Sequence, residues 1–253
     1  MKFAQTLIAA AAFSALALGS AQAATVLYTQ NFENPVGFVN NGKDLSQQQV
    51  NAVYANQPSG FVFGQEFTVE TVKVGGTGAF GLGYQDPQGR AGNYTLGMLS
   101  GVEDDKLGMA FDAGAFDFLN FQFDISTIEL DCCGAPFVPV GGAAPRMRIS
   151  LFDNPLGNPG SGSGAALTFI DVTGAFNSSK NIFNFSTQTV GLSTAGSTNG
   201  KVILQLDLLE GGYAALDNFT IAASDIQGDV NKVPEPGSLA LLGLGLTGLY
   251  AAR

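Results

Sequence analysis

The sequence predicts an all-β fold: a single antiparallel β-sandwich of jelly-roll type with one short helix, flanked by an N-terminal signal peptide and a C-terminal transmembrane helix. Three observations support this prediction. Apolar and polar residues alternate with the period of two that half-buried strands require. Breaks rich in glycine, of which the chain has 34, separate the alternating segments. The segments follow one another without long intervening helices, which favours an antiparallel sandwich over a βαβ fold.

The first residues predict a secretory signal peptide covering residues 1–23. Lys2 gives a short positive start, residues 7–18 are apolar, and Ala21 and Ala23 frame a cleavage site with small residues. The apolar run is too short for a membrane anchor. We therefore expect cleavage after Ala23 and export of the chain that follows.

Residues 24–232 form the predicted body, which we treat as one domain because sandwiches of this size routinely are. Its clearest strand places four apolar side chains on one face: Leu119, Phe121, Phe123 and Ile125. The same alternation recurs in two later segments, at Met147, Ile149 and Leu151 and at Val202, Leu204, Leu206 and Leu208. Further strands are predicted within residues 67–74, 167–172, 182–189 and 216–222.

One helix is predicted at residues 47–56. Ser46 and Gln49 have the spacing of a capping box, and Pro58 follows the end of the segment. The residues expected to face the core are Val50, Val53 and Tyr54.

The composition excludes several classes of function. Without Lys2, Glu235 and Arg253, which lie outside the body, 9 of the 11 basic and 20 of the 21 acidic residues remain, a net charge of −11. Nucleic acid is therefore not an expected partner, because neutralising phosphates requires clustered Lys and Arg. The chain has no histidine, which excludes Ser-His-Asp and Cys-His catalysis and zinc sites built on imidazole.

A carboxylate pair for glycoside cleavage remains as an alternative chemistry. The available glutamates form no motif, and we interpret them as solvated carboxylates of strand faces or loops: Glu66, Glu70, Glu103 and Glu129. We therefore expect that the protein is not an enzyme.

The two ends of the body each place a carboxylate beside a phenylalanine. Glu33 follows Phe32 on the predicted first strand, and Asp217 precedes Asn218 and Phe219 on the predicted last strand. Both segments resemble the terminal strands of several carbohydrate-binding-module families. That resemblance implies that Glu33 and Asp217 hold a structural calcium ion, because two buried carboxylates at close range need a cation or a proton between them. The alternative is that Asp217 simply begins a strand at a turn.

The only two cysteines of the chain, Cys132 and Cys133, are adjacent at the end of a predicted strand. Export makes oxidation the expected state. Neighbouring Cα atoms lie about 3.8 Å apart, below the roughly 4.4–6.8 Å of ordinary disulfides, so a bond between them closes a strained ring. We predict this vicinal disulfide; two free thiols and disulfides between chains are the alternatives.

The last 21 residues have three parts. Pro234, Glu235 and Pro236 come first, residues 237–252 are uncharged and apolar, and Arg253 ends the chain. The apolar part is slightly shorter than the about 17–25 residues that span a bilayer core. We predict a marginal transmembrane helix with the body outside, and a buried core helix is the alternative.

This arrangement resembles the PEP-CTERM sorting signal of certain Gram-negative bacteria, although that family usually ends in several basic residues rather than one. The resemblance implies that Pro234, Glu235 and Pro236 are recognised by an exosortase, a membrane protease or transpeptidase. It also implies that residues 233–253 first tether the precursor to the inner membrane and are then removed. The product would remain on the cell surface or be released outside the cell.

For the body we expect a structural role at the cell surface or in the extracellular matrix. The alternative is carbohydrate binding, with exopolysaccharide as the partner. The chain has no tryptophan, and the body has few tyrosines that could stack on sugar rings: Tyr28, Tyr54, Tyr84, Tyr94 and Tyr213. No cofactor is expected apart from the calcium ion.

Overall fold

A computed structural model describes residues 24–39, 45–66, 69–75, 77–78, 81–99, 105–128, 143–176, 179 and 181–231. The predicted signal peptide, Cys132 and Cys133, and the sorting signal with its predicted transmembrane helix lie outside these ranges. Within them, no helix has the length and apolar character needed to cross a membrane.

The body is a sandwich of two sheets, with strands numbered here in chain order. Sheet A contains β1 (Thr25–Gln30), β2 (Leu45–Gln49), β4 (Glu70–Lys73), β7 (Tyr94–Leu99), β9 (Phe118–Thr127), β12 (Ser186–Ser193) and β14 (Tyr213–Ser224). Sheet B contains β3 (Gly64–Glu66), β8 (Lys106–Asp112), β10 (Arg146–Asp153), β11 (Thr168–Thr173) and β13 (Lys201–Glu210). A separate hairpin is formed by β5 (Thr77–Gly78) and β6 (Gly81–Leu82).

Strands that are distant in the chain are neighbours in both sheets. The order in sheet A is β12-β9-β14-β7-β4-β2, with β1 also paired to β14, and the order in sheet B is β11-β10-β13-β8-β3. The paired strands of both sheets run antiparallel. The predicted antiparallel sandwich of jelly-roll type is therefore confirmed.

The core lies between the two sheets and is built from the predicted inward positions. Every apolar residue predicted to face the core on β9, β10 and β13 is fully buried. The Phe121 and Phe123 rings stack with centroids 4.5 Å apart, and Phe219 of β14 meets Phe121 edge-on at 5.0 Å. Burial of each such side chain contributes about 1.5–3 kcal/mol. The period-two pattern thus supplies the apolar surface that holds the sheets together.

The outer face of sheet A is covered at both ends. At one end, Tyr84 and Phe183 stack on each other and form a second apolar cluster with Tyr213 of β14. At the other end, Val230 packs against Ala24 in a third, smaller cluster. Loops and the C-terminal part of the body therefore cover this face, while sheet B covers the other.

The predicted helix is shorter than expected. Helix α1 covers Val50–Tyr54, and the residues before it form β2, which pairs with β4. The capping box predicted at Ser46 and Gln49 is wrong, because Gln49 makes no side-chain cap hydrogen bond and both residues pair with β4. Sheet pairing outcompetes a short helix, whose first turn is costly to form. The predicted inward residues are buried: Val50, Val53 and Tyr54.

Two of the strands that the alternation pattern misses, β7 and β8, have a glycine near the middle. A side chain at Gly97 would collide with the Tyr213 hydroxyl, and one at Gly108 would collide with the backbone of Gly160. Glycine at these positions permits close packing and at the same time interrupts the period of two.

The other predicted strands are present with shifted ends. β11 nearly matches its predicted segment, whereas β4 and β12 begin later than predicted, at Glu70 and Ser186. β14 begins earlier than predicted, at Tyr213.

Candidate functional site

The first candidate site is a gap between two strands on the same edge of β14, which we call the strand junction. Leu216 is the last residue of β14 paired with β7, and Phe219 is the first paired with β1. Asp217 lies between them. The prediction that Glu33 lies on the first strand is wrong, because Glu33 follows the end of β1 by three residues.

Glu33 is fixed to the start of β7 by three hydrogen bonds. Its carboxylate accepts from the Asn93 backbone N–H at 2.7 Å, from Asn93 Nδ2 at 2.8 Å and from the Tyr94 N–H at 3.2 Å. The carboxylate lies directly against Gly92, where any side chain would collide with it. The turn after β1 therefore places a well-oriented carboxylate beside the gap.

Asp217 is fully buried, and only one of its two carboxyl oxygens accepts a hydrogen bond from the described residues. Its Oδ1 accepts a 2.6 Å hydrogen bond from the Asn218 N–H. Its Oδ2 accepts no hydrogen bond from the described residues, and the nearby Thr95 hydroxyl donates its proton to the Leu216 carbonyl oxygen at 2.6 Å. Burial raises the pKa of Asp217 from 3.8 to about 9, and the negative charges of Glu33 and Asp124 act in the same direction. Without a cation, this carboxyl group is protonated at neutral pH.

Asp124 faces Asp217 across β9 and β14 but differs from it in its partners. Arg90 Nη1 lies 3.2 Å from Asp124 Oδ1, the Thr187 hydroxyl donates to the same oxygen at 2.5 Å, and Asn218 Nδ2 donates to Oδ2 at 3.0 Å. Asp124 thus has an arginine and two further hydrogen-bond donors as partners, whereas Asp217 Oδ2 has none among the described residues.

The backbone on both sides of the junction adopts an unusual conformation. Phe32, just before Glu33, has φ +54°, and Asn218, just after Asp217, has φ +53°. The left-handed region disfavours residues with a side chain, phenylalanine more than asparagine. Phe32 is held in place by burial and by the 2.6 Å hydrogen bond that the Tyr54 hydroxyl donates to its carbonyl oxygen. The junction therefore maintains a strained geometry that orients both carboxylates.

The chemistry of the junction fits a calcium ion. Calcium takes six to eight oxygen ligands and accepts backbone and amide carbonyls beside carboxylates. Glu33 and Asp217 would supply the carboxylates, and Oδ2 of Asp217 is a buried oxygen that accepts no hydrogen bond from the described residues. Within the described ranges, no group of three or more His, Cys, Asp or Glu residues is placed to hold a metal. Carbonyl oxygens would therefore have to complete the ligand set.

The second candidate site is a row of charges across the outer face of sheet B, which we call the charged row. Strand register aligns five residues, one from each strand in sheet order: Asp171, Arg148, Asp207, Lys106 and Glu66. The signs alternate along the row. Arg148 Nε lies 2.8 Å from Asp171 Oδ1, and Lys106 Nζ lies 3.1 Å from Glu66 Oε2. The row crosses the full width of the sheet.

An exposed aromatic ring lies beside one end of the row. Phe169 of β11 is 55% exposed, and the Arg148 guanidinium lies 4.3 Å from the centre of its ring. Arg146 also pairs with Asp171, at 3.0 Å, and with Glu210. Hydrogen bonding to Arg148 and the charges of both arginines lower the pKa of Asp171. This end of the face is therefore a rigid, ionised and partly aromatic surface.

The loop after β10 covers the neighbouring part of the same face. The Gly162 N–H donates to Gln205 Oε1 at 2.8 Å, and the backbone at Gly160 lies directly on Gly64 and Gly108 of the sheet. The five residues of the charged row remain partly exposed beside this loop.

Sequence reasoning did not single out the charged row. The signal was partly available, because Arg146 and Arg148 alternate with Met147 and Ile149 and must therefore share the outer face. The alignment of charges from five strands depends on register and strand order, which a sequence does not reveal.

One interpretation of the glutamates is wrong. Glu70 is not solvated: it is 4% exposed, and the Tyr213 hydroxyl donates to its Oε2 at 2.8 Å. Glu66 is paired with Lys106 in the charged row. Glu103 and Glu129 lie outside the described residues.

Several solved structures are similar to this chain at low identity. The CBM22-1 xylan-binding domain from Paenibacillus barcinonensis is 12% identical with a TM-score of 0.41, over 81% of this chain and 99% of that one. The C-terminal family 22 carbohydrate-binding module of Clostridium thermocellum is 12% identical with a TM-score of 0.40, over 83% and 97%. The K1 cleaved adhesin domain of Lys-gingipain from Porphyromonas gingivalis is 15% identical with a TM-score of 0.38, over 79% and 99%.

Sequence comparison identifies the C-terminal end of the chain. No curated protein matches the sequence. The family model of the PEP-CTERM protein-sorting motif matches residues 232–253, which contain Pro234, Glu235 and Pro236. This match confirms the resemblance seen in the sequence and supports an exported, membrane-anchored precursor that is sorted to the cell surface. The chain thus carries a PEP-CTERM protein-sorting motif at its C-terminal end, which is consistent with a substrate of an exosortase.

Proposed function

We propose that the body is a polysaccharide-binding component of the surface layer or matrix to which its sorting motif sends it, and that the charged row is its binding surface. This proposal favours the carbohydrate-binding alternative over a purely structural body. The observation that carries it is the row itself: five aligned, partly exposed charged side chains beside an exposed phenylalanine ring.

The dimensions of the row suit an extended chain of sugars. Five strands at a spacing of about 4.8 Å give a row about 19 Å long, which accommodates several sugar units rather than one. Carboxylate and guanidinium groups make strong, directed hydrogen bonds to hydroxyl groups. The Phe169 ring offers an apolar surface for the C–H face of a sugar.

The charges favour a neutral polysaccharide. Positive and negative side chains alternate along the row, and the whole chain has a net charge of −10. A strongly anionic polymer would meet repulsion from the protein as a whole, whereas hydroxyl groups can donate to Asp171 and Asp207 and accept from Arg148 and Lys106.

The ion pairs of the row also prepare it for binding. Arg148 is held both by Asp171 and by its contact with Phe169, so little side-chain freedom is lost when a ligand arrives. The same pairs carry only a small stabilising contribution as partly exposed salt bridges. We therefore assign the row to recognition more than to stability.

We also propose that the strand junction binds calcium as a structural ion. The buried Oδ2 of Asp217 and the oriented carboxylate of Glu33 support this proposal. The ion would tie the end of β1 to the last strand and close the sandwich. It would leave the charged row, on the other sheet, unaffected.

Affinity electrophoresis of the processed protein tests the polysaccharide proposal. Gels contain neutral or acidic polysaccharides, including the exopolysaccharide of the producing bacterium. We expect retardation by a neutral polysaccharide. Phe169→Ala should reduce the affinity several-fold, because a stacking contact is worth about 0.5–1.5 kcal/mol. Arg148→Met should reduce it about tenfold or more, because a hydrogen bond to a charged group is worth about 1.5–3 kcal/mol. Asp171 keeps its pair with Arg146 in the second variant, so the sheet face remains ionised.

Phe176→Ala is the matched control, since Phe176 is also a partly exposed phenylalanine (40%) but lies outside the row. It should bind like the wild type. Equal retardation of all variants, or none of any, would contradict the proposal. An assay for new reducing ends accompanies the gels, because we propose binding without cleavage.

A further inference from the structure

The segment just before the sorting motif, residues 225–231, folds back onto the outer face of sheet A. We call this segment the clasp. Its main anchor is the buried side chain of Asn120 on β9. Asn120 Nδ2 donates to the carbonyl oxygens of Ile226 at 3.0 Å and Asp229 at 2.9 Å, and Asn120 Oδ1 accepts from the Gly228 N–H at 2.7 Å. Both the nitrogen and the oxygen of the Asn120 amide group thus form hydrogen bonds to the backbone of the clasp.

A second anchor lies at the end of the clasp. Val230 is 7% exposed and packs in a cluster with Ala24, Val26 and Ala222. Ala24 is the first residue after the predicted signal-peptide cleavage site. The beginning of the mature body and the last residues before the sorting motif therefore meet at one pole of the sandwich.

The fit between clasp and sheet is close. Gln227 Nε2 donates to the Gly191 carbonyl oxygen at 2.9 Å. A side chain at Gly191 would collide with both Gln227 and Asn120, so the clasp lies where glycine permits it. The clasp is therefore part of the folded body and not a linker.

The sorting motif begins immediately after this docked segment. The family match starts at residue 232, and Pro234 follows Asn231 by three residues. An extended chain covers at most about 3.6 Å per residue, so Pro234 stays within about 11 Å of the Asn231 Cα atom. An enzyme that binds the motif as an extended peptide, together with the four residues before Pro234, would also have to take up Val230, which is packed into the body.

We propose that the clasp controls access of the exosortase to the sorting motif: processing requires residues 225–231 to detach from sheet A. Local segments open with their own free energies, below that of global unfolding. The rate of processing is then proportional to the small fraction of molecules in which the clasp is open. A body that has folded with its clasp closed is held at the membrane longer than its motif alone would require.

Pulse-chase labelling of the full precursor in the producing bacterium tests this proposal. In Val230→Ser, the clasp loses its apolar anchor, and we expect processing to be about tenfold faster, equivalent to about 1.4 kcal/mol of clasp stability. Ile226→Ser is the matched control, because Ile226 lies in the same segment but is 54% exposed. It should be processed at the wild-type rate.

An insertion separates access from damage to the fold. Eight Gly and Ser residues placed between Asn231 and Lys232 leave the clasp intact and move the motif away from it. We expect this variant to be processed faster than the wild type, and Val230→Ser should add no further acceleration in its presence. If the insertion leaves the rate unchanged or lowers it, the clasp does not limit access and the proposal is overturned. Because the insertion replaces no residue of the body, it carries the test even if Val230→Ser fails to accumulate.

Discussion

The buried carboxyl group of Asp217 makes the stability of the calcium-free protein depend on pH. Its pKa is about 9 in the folded protein and 3.8 for an unperturbed aspartate. Between pH 3.8 and pH 9 the folded state therefore holds one more proton than the unfolded state. Stability must then fall as pH rises, by about 1.4 kcal/mol per pH unit for one proton. From pH 5 to pH 7 this amounts to about 2.7 kcal/mol.

Asp217→Asn removes this dependence, because the amide retains the shape of the carboxyl group and does not ionise. In the presence of a chelator, the variant should lose less stability than the wild type between pH 5 and pH 7. Its advantage should grow with pH. Asp112→Asn, which alters an exposed carboxylate of β8, is the control and should follow the wild type.

Calcium should reverse this order. The ion binds the ionised carboxylate, so at pH 8 a hundredfold excess over its dissociation constant should stabilise the wild type by about 2.7 kcal/mol and the Asp217→Asn variant by much less. Chemical denaturation at several pH values, with calcium or with chelator, measures each quantity. If wild type and variant show the same pH dependence in chelator and calcium stabilises neither, the Asp217 carboxyl group neither holds an extra proton in the folded state nor binds the ion.

Three further predictions concern other parts of the chain. Replacing residues 234–236 by alanines should leave uncleaved precursor in the inner membrane, and fractionation that shows normal release would contradict this. Intact mass and a non-reducing gel should give a monomer two hydrogens lighter than the dithiol if Cys132 and Cys133 form the vicinal disulfide; covalent dimers that disappear on reduction would instead indicate bonds between chains. Gly108→Val should destabilise the body by about 1–3 kcal/mol in urea titrations, because its side chain would collide with Gly160; an unchanged midpoint would show that the loop moves freely.

The strand pattern could be predicted where each strand has one apolar face. Phe121, Phe123 and the other inward residues of β9, β10 and β13 follow the period of two and are all buried. Strands with a central glycine could not be predicted in this way. Gly97 leaves room for the Tyr213 hydroxyl and Gly108 leaves room for the backbone of Gly160, and both glycines interrupt the alternation. Their role depends on contacts between distant parts of the chain.

The candidate sites could be predicted only in part. A resemblance in the sequence indicated Glu33 and Asp217 as candidate ligands. It did not show that Asp124 lies opposite Asp217 in the sheet, or that Asp124 forms an ion pair with Arg90. The clasp gave no signal at all, since Asn120 looks like any polar residue on the outer side of a strand. Both features arise when segments more than thirty residues apart are brought together.

Mapping of backbone amide chemical shifts locates the polysaccharide on the protein: the processed protein is titrated with oligosaccharides from the polysaccharide that retards it. If the charged row binds the polysaccharide, the shift changes are concentrated on the outer face of sheet B, at Phe169, Arg148, Asp207 and Lys106 and their neighbours, and residues around Asp217 are unaffected. Changes confined to the strand junction or to sheet A, or no changes at saturating ligand, would show that the charged row is not the binding surface.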